Sequence, residues 1–135
     1  MQDALTVLQQ VFGYPEFRGL QAEIVAHVAT GHHALVLMPT GGGKSLCFQV
    51  PALLRPGITV VVSPLIALME DQVATLSELG VAAAYLNSTV EADEARRIAQ
   101  AARSGELKLL YVAPERLLSP RFLEFLDSLD LALFA

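Results

Sequence analysis

The chain has 135 residues, of which 53% are hydrophobic, and a formal net charge of −5. This length and apolar content suffice for one globular domain with a buried core, and no segment approaches the roughly 18 consecutive apolar residues of a membrane span. The acidic balance argues against a broad basic face for nucleic acid, although backbone N–H groups and helix N-termini also bind phosphates. The first ten residues carry no Lys or Arg and Cys47 is the single cysteine, so we expect a cytoplasmic protein.

Five short runs rich in branched apolar residues predict β-strands. In chain order they cover residues 34–38, 58–62, 82–86, 107–112 and 131–135. Their nearly continuous apolar character, without period-two alternation, is typical of strands that are covered on both faces in a parallel sheet. Segments of helical length separate the strands and imply right-handed crossovers. We therefore predict an α/β fold in which helices cover a parallel sheet.

Two helices are predicted before the second strand. Leu20, Ile24 and Val28 lie four residues apart and mark one face of the first helix, which Gly31 can end. The second covers residues 46–54, directly after a glycine-rich turn. Each helix thus borders the first predicted strand, one before it and one after it.

Two further helices follow the second and third strands. Ser63 is predicted to be the N-cap of the first, with Pro64 in its opening turn and Gly80 at its C-terminal end. The next is predicted to begin at Ser88, because Ser88 and Glu91 have the spacing of a capping box, and to run to about residue 104.

The strongest chemical signal is a glycine-rich segment between the first strand and a helix. It consists of Met38, Pro39, Thr40, Gly41, Gly42, Gly43, Lys44 and Ser45. Consecutive glycines let the backbone turn tightly and direct its N–H groups inward, and the helix N-terminus adds positive potential for a phosphate. Lys44 would reach the β- and γ-phosphates, and the Ser45 hydroxyl would complete the shell of Mg²⁺. The alternative is a glycine-rich turn that binds nothing.

Met38 stands where the general phosphate-loop pattern has its first glycine. The segment 38–53, MPTGGGKSLCFQVPAL, resembles the first motif of the RecQ family of DNA helicases, whose version also has methionine there. This resemblance implies a RecA-like P-loop NTPase fold of helicase superfamily two. It also implies ATP and Mg²⁺ as cofactors, with Lys44 and Ser45 in catalytic positions.

Residues 12–21 resemble the adenine-recognition motif of the same family. The resemblance implies that Tyr14 stacks on the base, while Arg18 and Gln21 contact the nucleotide and the base edge. An aromatic face and an amide that both donates and accepts suit that task. The chain has Gly-Leu at 19–20 where the family usually has Pro-Gly, so the turn into the helix is expected to differ. Hydrophobic anchoring of the N-terminal helix is the alternative role of Tyr14.

Residues 60–73 are similar to the helicase motif that follows the second strand and touches the DNA backbone. Ser63 and Pro64 are the positions that match it at the start of the helix. A hydroxyl and unpaired N–H groups at a helix N-terminus can hold a phosphate without a basic patch. A role of Ser63 as N-cap alone is also compatible with the pattern.

Two more segments, 86–89 and 111–117, resemble further parts of the same family. They imply that Ser88, Thr89 and Arg116 lie near nucleic acid or organise the loops that do. The alternative is local: a capping box at Ser88, and a surface ion pair between Arg116 and a neighbouring glutamate.

The family's acidic motif, Asp-Glu-Ala-His, has no counterpart in the chain. Asp-Glu-Ala occurs at 93–95, but Arg96 follows it and the surroundings are polar, so we interpret it as a solvated helix face. The run at 131–135 is the kind of strand that precedes the acidic motif. We therefore expect residues 1–135 to be the N-terminal part of a helicase ATP-binding domain, truncated before Asp-Glu-Ala-His and unable to turn over ATP usefully by itself.

The resemblance implies ATP-dependent unwinding of duplex DNA, from three-prime to five-prime, in repair and recombination. The expected partners are single-stranded and forked DNA, and a bacterial protein would associate with the nucleoid. Two alternatives remain. A P-loop kinase would leave the blocks at 14–21 and 63–65 unexplained, and a truncation product would bind nucleotide without catalysis.

Overall fold

The computed structural model describes residues 3–34, 44–87 and 89–135. The chain consists of two compact units, Met1–Pro56 (unit 1) and Gly57–Ala135 (unit 2). No helix within the described ranges is long and apolar enough to cross a membrane. Most of the strand predicted at 34–38 lies outside the described residues.

The described part of unit 1 is helical. Its elements are α1 (Ala4–Val7), a π-helical segment that continues it (Leu8–Phe12), α2 (Gln21–Ala29) and α3 (Leu46–Leu54). The Asp3 carboxylate caps α1 by accepting a hydrogen bond from the Thr6 N–H at 2.8 Å. The small core that these elements share contains the buried side chains of Val7, Leu8, Val25 and Val50. The bounds predicted for α3 are confirmed.

The buried face of α2 differs from the predicted one. Leu20 precedes the helix and is 60% exposed, whereas Gln21, Val25 and Val28 are buried. These three positions lie on one helical face because their spacing of four and three residues matches the helical period. The prediction placed Leu20 on the buried face because leucine is apolar, but the polar Gln21 occupies that buried position. Gly31, at φ 93°, follows the end of α2 as predicted.

Unit 2 contains a four-stranded parallel sheet, which confirms the predicted α/β class. Its strands are β1 (Ile58–Val62), β2 (Ala83–Leu86), β3 (Leu109–Val112) and β4 (Leu131–Phe134), in the spatial order β2-β3-β1-β4. The bounds of β1 are those predicted. β2 and β3 begin one and two residues later than predicted, and β4 ends one residue earlier.

Helices α4 (Ile66–Glu78), α5 (Ala92–Arg103), α6 (Pro114–Leu117) and α7 (Pro120–Asp127) complete unit 2. Successive side chains of a strand point to opposite faces of its sheet. Leu110 and Val112 of β3 accordingly join the cluster that α5 and α7 cover. The Tyr111 hydroxyl between them donates a hydrogen bond to Gln72 Oε1 of α4 at 2.7 Å. Helices therefore pack on both faces of the sheet.

Gly57 begins unit 2 with a backbone that only glycine accepts without strain. Its φ is 95°, and a Cβ at this position would lie 2.3 Å from the carbonyl oxygen of Asp130. That oxygen accepts a hydrogen bond from the Ile58 N–H at 2.8 Å. The absence of a side chain lets β1 lie this close to the residue that precedes β4.

Candidate functional site

The loop between the π-helical segment and α2 carries the predicted adenine-binding residues. Gly13, at φ 78°, ends the helical segment, and the Tyr14 N–H donates to the Leu8 carbonyl at 3.3 Å. Gln9 Nε2 donates to the Pro15 carbonyl at 2.9 Å. The Tyr14 side chain is 52% exposed. The loop is thus tied to the preceding helix at two points, and the Tyr14 ring is accessible to a planar ligand.

Gln21 and Arg18 close the turn that leads into α2. Gln21 is only 3% exposed, and its Oε1 accepts a hydrogen bond from the Arg18 N–H at 2.8 Å. The Gln21 N–H in turn donates to the Arg18 carbonyl at 3.0 Å. An adenine edge would have to share Oε1 with the Arg18 N–H or displace it, so contact between Gln21 and the base stays a prediction.

Gly19 lies inside this turn at φ 54°. Proline, which the family usually has at this position, cannot adopt a positive φ because its ring fixes φ near −65°. The chain enters α2 through a left-handed glycine, a conformation that proline could not adopt, and the difference from the family's turn stays a prediction.

Lys44 and Ser45 stand at the N-terminal end of α3. The Lys44 and Ser45 carbonyls accept the first backbone hydrogen bonds of the helix, from Cys47 at 3.0 Å and from Gln49 at 2.9 Å. Lys44 is exposed, and the Ser45 hydroxyl forms no capping hydrogen bond within the described part of α3. An ammonium group, a hydroxyl and the positive end of a nine-residue helix form a donor set that suits a phosphate and its Mg²⁺. Residues 38–43 of the predicted loop lie outside the described residues.

Cys47 packs below this helix end. Its side chain is 5% exposed, and burial raises the pKa of the thiol. A buried thiol with a raised pKa is a poor nucleophile because little thiolate forms near neutral pH. Cys47 is thus a packed, small hydrophobic residue.

In unit 2, three of the predicted nucleic-acid contacts follow the carboxyl ends of three neighbouring strands. Ser63 follows β1, Thr89 follows β2, and Arg116 follows β3. Carboxyl ends of neighbouring parallel strands meet at one edge of the sheet, which is where α/β proteins commonly bind ligands. The fold thus brings these residues to the same edge, here called the sheet edge.

Two long-range hydrogen bonds hold the loops of the sheet edge together. The Ser63 N–H donates to the Val112 carbonyl at the end of β3, at 3.0 Å. Arg116 Nη2 lies 3.4 Å from the Asn87 carbonyl at the end of β2 and donates to it. The three loops are therefore linked in pairs through backbone carbonyls rather than through ion pairs.

The prediction that Ser63 caps α4 is wrong. The helix begins at Ile66 with Leu65 as its N-cap residue, and no side chain caps it. Ser63 Oγ instead accepts a hydrogen bond from the Leu65 N–H at 3.3 Å. A serine hydroxyl can close a local turn in this way, which competes with helix capping. Pro64 lies in this turn and is exposed.

The predicted start of α5 at Ser88 is also wrong. The helix begins at Ala92 with Glu91 as its N-cap residue, so Glu91 cannot be the third helical residue of a capping box. Asn87 explains the difference, because its Oδ1 accepts hydrogen bonds from both the N–H and the hydroxyl of Thr89. This Asx turn keeps the chain out of the helix. Ser88 itself lies outside the described residues.

Asn87 is a site residue that the sequence interpretation missed. It is 1% exposed, follows an apolar strand, and binds both Thr89 and Arg116 through its side chain and its carbonyl. Its Nδ2 also contacts the sulfur of Met69 at 3.6 Å. The available signal was an asparagine placed directly after a buried strand, where Asx turns are common.

The ion pairs found among the described residues do not include the one predicted for Arg116 with Glu115 or Glu124. They join Arg96 to Asp93 and Arg97 to Glu94 on α5. Asp93 is 86% exposed and its partner 77% exposed, so the acidic residues of the Asp-Glu-Ala segment lie on a solvated helix face, as predicted, whereas Ala95 packs against the sheet cluster.

Comparison with known proteins identifies the family. Residues 18–132 match the DEAD/DEAH box helicases. ATP-dependent DNA helicase RecQ of Haemophilus influenzae is 46% identical over 124 residues, which are 92% of this chain and 20% of that protein. RecQ of Bacillus subtilis is 44% identical over 133 residues, or 98% of this chain and 22% of that protein. Putative ATP-dependent DNA helicase Q1 of Caenorhabditis briggsae is 48% identical over 117 residues, or 85% of this chain and 19% of that protein.

The chain therefore spans about a fifth of the length of these curated relatives. The resemblance to RecQ helicases that the motifs indicated is confirmed across most of the chain. It extends through the helices of unit 1 and the parallel sheet of unit 2, which are the regions that carry the candidate site residues. This chain belongs to the DEAD/DEAH box helicase family and is similar to its RecQ members.

Proposed function

We propose that the chain is the ATP-binding part of a DNA helicase that unwinds duplex DNA from three-prime to five-prime during repair and recombination. The observation that carries the proposal is the sheet edge, where Ser63, Thr89 and Arg116 follow three neighbouring parallel strands. The names of the relatives, ATP-dependent DNA helicases, support it. The proposed substrates are single-stranded and forked DNA in the cytoplasm, at the nucleoid in a bacterium.

The sheet edge can contact a DNA backbone despite the net charge of −5. The Ser63 hydroxyl, the guanidinium of Arg116 and the unpaired N–H groups at the start of α4 are all phosphate donors. The Thr89 hydroxyl donates to Asn87 Oδ1 and would join them only by leaving that partner. Most of these donors are uncharged, so the total charge of the chain does not count them. Contacts of this kind fix the position of a strand without reading its sequence.

For ATP, we propose that Tyr14 stacks on the adenine, that Arg18 and Gln21 contact the nucleotide, and that residues 40–45 surround the phosphates. Lys44 would neutralise phosphate charge, and Ser45 would provide an oxygen ligand to Mg²⁺. The exposed Tyr14 ring and the position of Lys44 and Ser45 at the start of α3 fit these roles. Bound ATP would supply the free energy of phosphoryl transfer. Tyr14 and the turn at Gln21 would give selectivity for adenine.

Residues 1–135 would form the N-terminal part of a helicase ATP-binding domain. The relatives are about five times as long as the matched region, and carboxylates that position the attacking water are general parts of such motors. We propose that these carboxylates belong to a longer helicase. The chain itself would contribute adenine recognition, phosphate binding and part of the single-stranded DNA contact.

Titration of the purified chain with a fluorescent ATP analogue in the presence of Mg²⁺ tests the nucleotide site. Lys44→Ala should weaken binding about 30-fold or more, because it leaves phosphate charge without its counter-charge. Tyr14→Ala should weaken ATP by about 10-fold and inorganic triphosphate hardly at all, since stacking involves only the base. Arg121→Ala, which removes an exposed cation of unit 2 outside the nucleotide site, is the matched control. Equal affinities of the folded wild type and Lys44→Ala would contradict the proposal.

The proposed helicase activity requires a separate measurement, on a full-length helicase that includes residues 1–135. Single-stranded DNA should stimulate its ATPase, and Arg116→Ala should reduce that stimulation while basal hydrolysis persists. Phosphate transfer to a small metabolite, with no response to DNA, would favour a P-loop kinase instead.

A further inference from the structure

A groove in unit 2 lies between α5 and the α6–α7 segment, beside the end of β2. Its volume is about 510 Å³, which is enough for one large side chain or a small ligand. Its apolar lining comes from Leu86, Ala95, Ala99, Phe122 and Phe125. The two phenyl rings meet edge to face with their centroids 5.6 Å apart.

Three arginines, Arg103, Arg116 and Arg121, surround this apolar floor, together with one acidic residue, Glu115. The chain as a whole has nine basic and fourteen acidic residues, so the groove is a cationic site on an acidic protein. The ion pairs found in the described ranges lie elsewhere, on the outer face of α5. The groove arginines therefore retain charge that a carboxylate could neutralise.

Arg103 is held in place by uncharged partners. Its guanidinium lies 5.1 Å from the centroid of the Phe125 ring, and its Nε is 3.4 Å from Ser128 Oγ. A cation over an aromatic face keeps its charge and loses part of its rotational freedom. Arg103 thus presents a partly ordered donor at the edge of the groove, which lowers the entropy cost of binding an anion.

We propose that this groove docks an acidic peptide segment of a partner protein. A large apolar side chain of the peptide fills the floor, and flanking carboxylates bind Arg103 and Arg121. Leu118, next in the chain to the lining residue Ser119, is 84% exposed and adds apolar surface near the rim. A buried apolar anchor surrounded by charge pairs is a common arrangement of protein interfaces.

The shape of the lining favours a peptide over a nucleic-acid strand. A strand would need an open aromatic face for its bases, but Arg103 covers the Phe125 ring and Phe122 is only 7% exposed. The phosphodiesters of such a strand could bind the rim arginines, but a strand without a base in the groove would leave the apolar floor exposed to water. An apolar peptide side chain loses no hydrogen bonds in the same place.

A displayed library of random dodecapeptides, selected on the purified full chain without nucleotide or DNA, tests the proposal. Enriched peptides should combine an aromatic or leucine residue with aspartate or glutamate. A fluorescent synthetic copy of one enriched peptide should bind Arg103→Ala/Arg121→Ala about 10-fold more weakly than wild type. Arg96→Ala/Arg97→Ala, which removes the same charge from the outer face of α5, should bind like wild type.

Two further measurements make the outcome decisive. Arg121→Glu alone changes an exposed residue outside the cation–aromatic contact and should weaken peptide binding several-fold. This variant tests the proposal even if loss of Arg103 harms folding, which circular dichroism would detect. A labelled oligothymidine should bind the double variant and wild type alike. The proposal is overturned by basic or absent enrichment, by equal peptide affinities, or by a groove variant that loses oligothymidine and keeps the peptide. None of these results depends on whether the chain binds ATP.

Discussion

The two units hold their candidate site residues by different means. In unit 1, polar side chains close the turns: Gln9 binds the Pro15 carbonyl, and Gln21 binds the Arg18 N–H. In unit 2, a buried parallel sheet delivers the site residues at the ends of its strands. A sheet built from apolar strands is visible in the sequence pattern, whereas turns closed by single amides are not. Site residues that an apolar sheet positions can therefore be predicted from sequence more easily than those positioned by side-chain hydrogen bonds within turns.

Removal of a buried strand side chain should have the largest effect. Leu110 of β3 is fully buried within the sheet cluster, so Leu110→Ala should lower the free energy of unfolding by about 2–5 kcal/mol through lost burial and a new cavity. Urea denaturation followed by circular dichroism measures it. Leu118→Ala, at a position 84% exposed, should change stability by less than about 0.5 kcal/mol. Similar losses in both variants would mean that β3 is not central to unit 2.

A substitution at Gly57 tests whether the start of β1 must lie close to the backbone of Asp130. Gly57→Ala should cost about 2–3 kcal/mol, because the added Cβ would meet the Asp130 carbonyl and φ is positive. Gly80→Ala is the matched control, since φ there is 82° but nothing lies within 4 Å of the added Cβ. That variant should cost about 1 kcal/mol, from the backbone conformation alone. Equal losses in a denaturation experiment would show that the close approach adds nothing.

Thr59 of unit 2 and Gln21 of unit 1 are both buried polar residues, but they differ in whether the side chain is hydrogen-bonded. Gln21 of unit 1 is bonded, but Thr59 Oγ1 in β1 is buried without a hydrogen-bond partner among the described residues. Thr59→Val keeps the shape and removes the unpaired hydroxyl. It should raise the free energy of unfolding by about 1 kcal/mol. A destabilised variant in the same urea assay would reveal a partner for this hydroxyl.

The smallest expected effect concerns Asp3, the N-cap of α1. The backbone hydrogen bond from Thr6 lowers the pKa of this carboxyl from its ordinary value of 3.8. A depressed folded-state pKa stabilises the fold above the unfolded pKa, and this stabilisation is lost as the pH falls through the lower, folded-state pKa. The thermal unfolding temperature of wild type should therefore fall slightly more than that of Asp3→Ala as the pH falls below 3.8. Parallel pH profiles would contradict a capping role for Asp3.

The sheet and α3 could be predicted because their apolar residues are buried, and the pattern of apolar residues in a sequence indicates burial. The predicted starts of α4 and α5 were wrong, because the side chains of Ser63 and Asn87 accept hydrogen bonds within local turns. The sequence interpretation also missed the burial of Gln21, since a polar residue was not expected on the inner face of α2. Helix starts depend on which of several competing hydrogen bonds forms, and the spacing of residue types does not rank these bonds.

The hydrogen bond between the Arg18 N–H and Gln21 Oε1 gives unit 1 a built-in reporter. An amide proton that is bonded to a buried side chain exchanges slowly with solvent, and it exchanges faster when the bond opens. If an adenine takes over Oε1, the exchange rate of the Arg18 amide proton reports ligand entry directly. The turn would then act as an internal competitor that the base must replace, so that its strength sets part of the cost of nucleotide binding.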